Sequence, residues 1–436
     1  MRRRLLSLLL IFSVIGTMPA VSFGAKETSE EVAIKQISKD EIFSELELFA
    51  DAITLIEANY AQEVESKELI YGSLDGMLSS LDSHSSFLRP DDYKEMQTDA
   101  KGEFGGVGIK ITLRDKIITV VSPLEGTPAY KAGVAPGDRI IKIDGESTKD
   151  FTLDDTVKKL RGAPGTKVKI TVLREEEEKL LDFTLKRAII KVTAVKNALI
   201  LDDDIGYVRI TDFQQHTGND LAISIKKLLK QKMRSLILDL RSNPGGLLSA
   251  AILVSEKFLK RGDNIVSTKG RIKEQNMDFK SKVFMPYKDF PITILVNKGS
   301  ASAAEIVAGA LRDNKRALLV GEKTFGKGSV QTVIPMNDGS ALRLTTSHYY
   351  TPSGNVIHER GIAPDVEVKR ARQKDKDSKE EDAEEEEEGK KEEIEEGDKR
   401  KEEKNVSIKE RLLKDNQVQA AIELLKDRDR YASLLK

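Results

Sequence analysis

The sequence predicts a multidomain α/β protein, and three patterns support that reading. From Val192 to Val368, strand-like and helix-like segments alternate, as in an α/β layer. From Gly102 to Thr184, short β-rich runs are separated by glycine turns, as in a small β domain. Apolar residues at helical spacing come before the first glycine-rich stretch and return at the end of the chain.

The N-terminus has the order of an export signal. Arg2, Arg3 and Arg4 precede an apolar run from Leu5 to about Ile15, and Ser22 and Gly24 supply small residues before a cut after Gly24. The run is short for a membrane span of about 20 residues. Cleavage and residence in the periplasm or cell envelope are therefore expected. Ile42, Leu46, Phe49, Ile53, Ile56 and Tyr60 then mark one helix, and Ile70, Leu74, Met77, Leu78 and Leu81 a second. The pair is expected to form a hairpin that packs on itself or on the main domain. His84, just past the second helix, reads as a helix-end or packing residue.

In the β-rich stretch, strands are expected at Val107 to Leu113, Lys116 to Val121, Arg139 to Ile143 and Lys167 to Leu173. Leu153, Val157 and Leu160 mark a helix that Asp150 or Thr152 can cap. In the alternating stretch, strands are expected at Tyr207 to Ile210, Leu236 to Leu240, Ile292 to Val296, Ala317 to Val320, Val330 to Ile334 and Leu342 to Ser347. Helices are expected at Leu221 to Leu229, Leu248 to Leu259 and Ser302 to Leu311.

The chain has 436 residues, enough for two or three domains. It lacks cysteine, which excludes disulfides, thiolate metal sites and cysteine nucleophiles. A net charge of −1 gives no argument for nucleic acid or an anionic membrane as partner. The charged fraction of 33% is high because residues 369–404 hold 12 Lys/Arg and 17 Asp/Glu. That run cannot bury enough apolar surface to fold alone and reads as a solvated linker. Val418, Ala421, Ile422 and Leu425 form one more amphipathic helix beyond it.

Three segments of the α/β stretch end strands with glycine, small or polar residues, where open α/β sheets place their sites. The first is Leu238-Asp239-Leu240-Arg241-Ser242-Asn243-Pro244-Gly245-Gly246. Paired glycines before a helix can present backbone N–H groups to an anion. The second, Asn297 to Glu305, leaves a buried strand and opens a helix. A serine there sits at the positive end of the helix dipole, next to an N–H able to stabilise an oxyanion. Spacing alone leaves Ser300 and Ser302 equal. The third, Gly321 to Gly328, nearly spells a phosphate-binding loop. It fails twice: Gly328 replaces the magnesium-binding Ser or Thr, and a strand follows instead of a helix. The four histidines, His84, His216, His348 and His358, lack metal-ligand spacing. A Ser/His/Asp triad stays open, since its members need not be close in sequence.

Taken together, Leu69 to Leu88, Gly102 to Gly145, the Leu238–Gly246 segment, Gly299 to Glu305, Phe325-Gly326-Lys327-Gly328-Ser329-Val330-Gln331 and Asp415 to Leu425 resemble the carboxy-terminal processing proteases. These are serine peptidases with an inserted PDZ domain. The resemblance implies a crotonase-like α/β protease core, an inserted β-rich PDZ domain, and N- and C-terminal helical segments. On this chain it implies a signal peptide at 1–24, a helical region at 25–101, PDZ at 102–187, the protease core at 188–368, a charged linker at 369–404 and a helical segment at 405–436.

By the same resemblance Ser302 is the nucleophile, Lys327 the general base and Gln331 its orienting partner. Four residues apart along a strand, Lys327 and Gln331 would share a face. Ala303 and either Gly245 or Gly246 would supply oxyanion N–H groups. Ala304 stands where the family's Ser-Ala-Ser-Ala-Ser-Glu motif has its third serine. Gly105-Gly106-Val107-Gly108 would bind a substrate's C-terminal carboxylate, with Val107, Ile109, Val157 and Leu160 favouring apolar ends. Arg139 would couple PDZ occupancy to the active site.

A lysine takes the serine proton only when neutral, so the reading requires desolvation around Lys327. The implied partners are proteins with free, apolar C-termini. No cofactor, metal or nucleic acid is implied. Membrane association and a homodimer stay open. Two other classes remain as alternatives: a non-catalytic PDZ scaffold or chaperone for exported proteins, and a nucleotide-binding protein.

Overall fold

The computed structural model describes residues 39–114, 116–175, 177, 179–287, 289–371 and 407–436. The expected signal peptide and residues 372–404 of the charged run lie outside the described residues. Residues up to Ile70 form one unit and those from Tyr71 onward a second.

In the first unit, helix Lys39–Asn59 is followed by the start of helix Ser66–Ser79, and the Ser66 hydroxyl donates to Glu57. Both expected helices form. Phe43 is 65% exposed, and Leu46, Phe49, Ile56 and Tyr60 are also exposed. Periodicity reveals an apolar stripe without revealing what covers it.

The second unit is built around a six-stranded sheet. Its order is Val195–Asp202, Ile205–Ile210, Ser235–Asp239, Ile292–Val296, Leu318–Gly321 and Val366–Glu367. The first pair is antiparallel and the remaining pairs are parallel. Ser235–Asp239, Ile292–Val296 and Leu318–Gly321 are buried at every residue, which is why they read as mostly apolar runs.

One face of the sheet packs on helices Thr217–Lys230, Leu248–Glu256 and Ala303–Asp313 through Leu221, Ile225, Val254, Val307 and Leu311. The other face packs on helix Asn416–Lys426 through Val418, Ile422 and Leu425. The second of the three upper helices ends at Glu256, short of the expected Leu259, which is nonetheless buried.

The C-terminal helix is fixed by charge as well as by apolar contact. Asp415 accepts the N–H groups of Gln417 and Val418 at 2.8 and 3.2 Å. Arg241 pairs with Asp239 at 2.7 Å and with Asp415 at 2.6 Å, and it donates to Gln417 at 2.9 Å. Asp239 is buried, so Arg241 supplies the countercharge it needs there.

A second, antiparallel sheet runs Ser86–Leu88, Ala341–Tyr350, Asn264–Gly270, Met277–Lys280, with Ser329–Pro335 paired to Ala341–Tyr350.

The β-rich stretch forms its own sheet in the order Ile109–Arg114, Ile117–Pro123, Arg139–Ile143, Lys167–Leu173, Leu181–Lys186. Ile118, Ile140, Ile170 and Leu185 fill its core. Helix Leu153–Leu160 begins at a reciprocal cap in which Thr152 and Asp155 each accept the other's N–H, at 3.1 and 3.0 Å. Strand Ile109–Arg114 is at the edge of this sheet, so one side of its backbone is available to another strand.

Candidate active site

Three adjacent parallel strands, Ser235–Asp239, Ile292–Val296 and Leu318–Gly321, end at the same side of the sheet. Each leads into one of the three segments singled out in the sequence. The topology therefore gathers the Gly245–Gly246 turn, the Ser302 turn and the Lys327 turn.

Ser302 lies at the start of helix Ala303–Asp313 with φ +52° and ψ −112°. A positive φ is uncommon outside glycine and must be held in place by its surroundings. Part of that hold comes from Gly245. A Cβ there would come within 2.8 Å of Ser302 Cβ and 3.0 Å of Ala303 N, and the φ of Gly245 is +111°. Only glycine fits so close a backbone approach. The two candidate serines also separate. Ser300 is fully buried, and its hydroxyl donates to the Leu240 carbonyl at 2.8 Å and accepts the Asn297 N–H at 3.0 Å. Ser302 is partly exposed.

The N–H of Gly245 is committed to Asn243 Oδ1 at 2.9 Å. It is therefore not a free oxyanion donor. Among the described residues the N–H groups of Gly246 and Ala303 have no protein acceptor.

One residue organises the site that the sequence reading quoted but gave no role: Glu305, fully buried in the first turn of helix Ala303–Asp313. Its Oε2 accepts the N–H of Ser302 and the N–H of Lys327, both at 2.9 Å. The two nitrogens therefore lie within about 5.8 Å of each other. Its Oε1 accepts the Gly326 N–H at 2.7 Å and the Thr324 hydroxyl at 2.5 Å. Burial pushes this carboxyl above its ordinary range, against the pull of the four donors. The signal was present in the sequence as Ser302-Ala303-Ala304-Glu305, the spacing of a capping box.

The Lys327 side chain is partly buried, and that burial lowers its pKa, with the positive charge of Arg343 adding to the effect. Among the described residues its ammonium has no ion pair. The strand that carries Gln331 starts only at Ser329, so Lys327 lies just outside it, and the register shift beyond Val330 leaves the extra residue, Thr346, in the partner strand. Gln331 donates to Ser329 Oγ at 3.3 Å. His348 and His358 border the Lys327 turn: His348 pairs with Ser329, and a Cβ at Gly328 would come within 2.1 Å of His358 N. His216 approaches Glu103 at 3.5 Å, and His348 stacks on His358 with ring centroids 4.6 Å apart.

In the small β domain, Gly105 and Gly106 belong to strand Glu103–Gly106, paired with Ala188–Lys191. Gly108 has φ +77° and packs on Thr127. Val107 and Leu160 are 2% and 6% exposed, within the domain core. Ile109 and Val157 are half-buried. Arg139 is exposed at the start of its strand, and among the described residues it makes no ion pair. No cluster of three or more metal-ligating side chains occurs among the described residues.

Comparison with known proteins fits this geometry. Residues 204–368 match the model of peptidase family S41, 119–174 that of a PDZ domain, and 10–89 that of the activating protease CtpB N-terminal domain. A carboxy-terminal-processing protease of Bartonella bacilliformis is 46% identical over 332 residues, covering 75% of this chain and 76% of its own. The chain belongs to the carboxy-terminal processing protease family. It is a serine-type peptidase with a PDZ domain. The carboxy-terminal processing protease CtpB of Bacillus subtilis is 36% identical over 325 residues, covering 73% of this chain and 67% of its own. Among solved structures, a photosystem II D1 C-terminal processing protease is 30% identical, covers 75% of this protease and 93% of its own chain, and has a TM-score of 0.43.

Proposed function

We propose that the protease works by a Ser–Lys acyl-enzyme route, with Ser302 as nucleophile and Lys327 as general base. The observation that carries the reading is the Glu305 carboxylate, which holds the backbone N–H groups of both residues at 2.9 Å. The neutral Lys327 amine takes the Ser302 proton, and Oγ attacks the scissile carbonyl. The N–H groups of Ala303 and Gly246 receive the oxyanion. Lysine then hands the proton to the leaving amine, and water, deprotonated by the same lysine, releases the acyl group. Gln331 enters as the lysine's orienting partner once it exchanges its bond to Ser329.

The PDZ domain, on this proposal, takes the substrate's free C-terminal carboxylate at Gly105–Gly108, and the peptide adds as a strand along Ile109–Arg114. Ile109 and Val157 favour apolar last residues. Arg139 is proposed to link the occupied domain to the active site. We also propose that residues 1–24 direct export and are removed. Edman sequencing of the envelope protein should then start at or near Ala25, and an intact Met1 on cytoplasmic protein would defeat that part.

The catalytic assignment is tested by cleavage of a peptide substrate by Ser302→Ala, Lys327→Ala and Lys327→Arg, each checked for folding by thermal melting. All three should be folded and inactive, since arginine stays protonated in proteins. Single replacement of His216, His348 or His358 should leave turnover in every variant that folds. A folded Lys327→Ala enzyme that still cuts, or a folded and dead histidine variant, refutes the assignment.

A further inference from the structure

The turn that carries Lys327 is fixed residue by residue. The Thr324 N–H donates to the Ile362 carbonyl at 3.1 Å, and the Phe325 N–H to the Ser300 carbonyl at 3.0 Å. The Gly326 and Lys327 N–H groups donate to Glu305 at 2.7 and 2.9 Å, and the Gly326 carbonyl accepts the Glu359 N–H at 2.8 Å. The Thr324 side chain turns inward, where its hydroxyl accepts the Ile362 N–H at 2.7 Å. The Phe325 side chain does the opposite: it is 65% exposed. Among the described residues no aromatic ring or cation stacks on it.

A lone exposed apolar side chain is ordinary on a protein surface. The place of this one is not. It is bonded through its N–H to Ser300, two residues before Ser302, and it precedes Lys327 by two residues. Its ring is therefore rooted between the two residues assigned to the reaction, on a backbone with no freedom to turn it inward. The turn packed against Ser302 from the other strand is Gly245–Gly246, which brings no side chain to grip a substrate. A rigid aromatic held in water beside a reactive group is the usual form of a binding anchor, because it offers large contact area at little entropic cost.

We propose that the Phe325 ring is a wall of the substrate cleft that receives an apolar side chain close to the scissile bond. Phe325 thus determines specificity at the cut, separately from the recognition of the C-terminus. The inference rests on the assignment of Ser302 and Lys327 above.

The test digests a pool of peptides with one common C-terminal segment and varied upstream residues, using the full-length enzyme and reading cut sites by mass spectrometry. The wild-type enzyme should prefer apolar residues beside the cut. Phe325→Ala should cut those peptides about tenfold less efficiently, through KM more than kcat, with little change for peptides polar at that position. Phe325→Leu should restore most of the preference, and both variants should melt as the wild type does. An unchanged cut-site profile in folded Phe325→Ala, or an equal loss on apolar and polar peptides, overturns the proposal. Lys327→Ala runs alongside. If it cuts, the site assignment has failed. If it is dead while Phe325→Ala keeps the wild-type profile, the Phe325 proposal alone has failed.

Discussion

Replacing Glu305 by glutamine tests whether one buried carboxylate sets the distance between nucleophile and base. Glutamine keeps one acceptor oxygen and turns the other into a donor. Two orientations are available. With the amide nitrogen facing Ser302 and Lys327, two buried N–H groups lose their acceptor. With it facing the other pair, the Thr324 oxygen can accept an amide hydrogen, but the Thr324 hydroxyl hydrogen and the Gly326 N–H both lose their acceptor. The second costs less, because the amide keeps a bond to Thr324. Each orphaned buried donor costs about 1–3 kcal/mol, and the new bond offsets part of that. The bonds to Ser302 and Lys327 also lose their charge-assisted share, about half their strength. Together the loss is about 2–5 kcal/mol, within a typical total stability of about 5–15 kcal/mol, so the variant folds. The slackened turns displace the reacting groups, and an error near 1 Å costs roughly 100-fold. Urea unfolding should therefore show the stability loss, and peptide cleavage should show kcat reduced about 10- to 100-fold with KM nearly unchanged. A folded Glu305→Gln enzyme with wild-type kcat would refute the reasoning.

Three further outcomes follow from the same geometry. Burial holds the Lys327 pKa below its ordinary value, so the unfolded chain binds that proton more tightly than the fold does. Stability must then rise with pH between the folded and unfolded pKa values, and Lys327→Met should melt above wild type near neutral pH, with the gap closing in alkali; melting at or below wild type throughout would count against a buried amine. Gly245→Ala should lose activity at least 100-fold, because its methyl would meet Ser302 Cβ at 2.8 Å at a φ of +111°; cleavage at the wild-type rate would show that this contact does not shape the site. Amidating a substrate's C-terminus should raise KM at least tenfold if Gly105–Gly108 reads a carboxylate, and equal turnover of both forms would remove that role.

The parallel strands were legible because burial on both faces leaves them mostly apolar, as in Leu236-Ile237-Leu238 and Ile294-Leu295-Val296. Strands Asn264–Gly270 and Met277–Lys280 were not, because their exposed positions carry residues that any loop would carry. The three site-bearing turns could be found from glycine and small residues at strand ends. What joins them could not. Ser302 and Glu305 are visibly a capping pair, but nothing local says that the carboxylate also reaches Lys327, 22 residues away. The Gln331 bond was hidden for a related reason: the strand's start at Ser329 is set by pairing with His348, and nothing local says that the Gln331 amide donates to Ser329 Oγ.

On the proposed mechanism the same contacts let a carboxylate and a basic lysine be neighbours without cancelling each other. A lysine beside a free carboxylate would keep its proton and could not act as a base at working pH. Glu305 is close to Lys327, yet its two oxygens already accept four donors, from Ser302, Lys327, Gly326 and Thr324. A carboxylate offers about four acceptor sites, so none is left for the Lys327 ammonium. The carboxylate's acceptor sites are taken by three backbone N–H groups and one hydroxyl, which fixes where the lysine is rooted, and among the described residues its amine has no ion pair. Burial and the positive charge of Arg343 then both favour the neutral amine. On the proposed mechanism the carboxylate positions the base through the main chain, and the side chain keeps the lowered pKa that the chemistry requires.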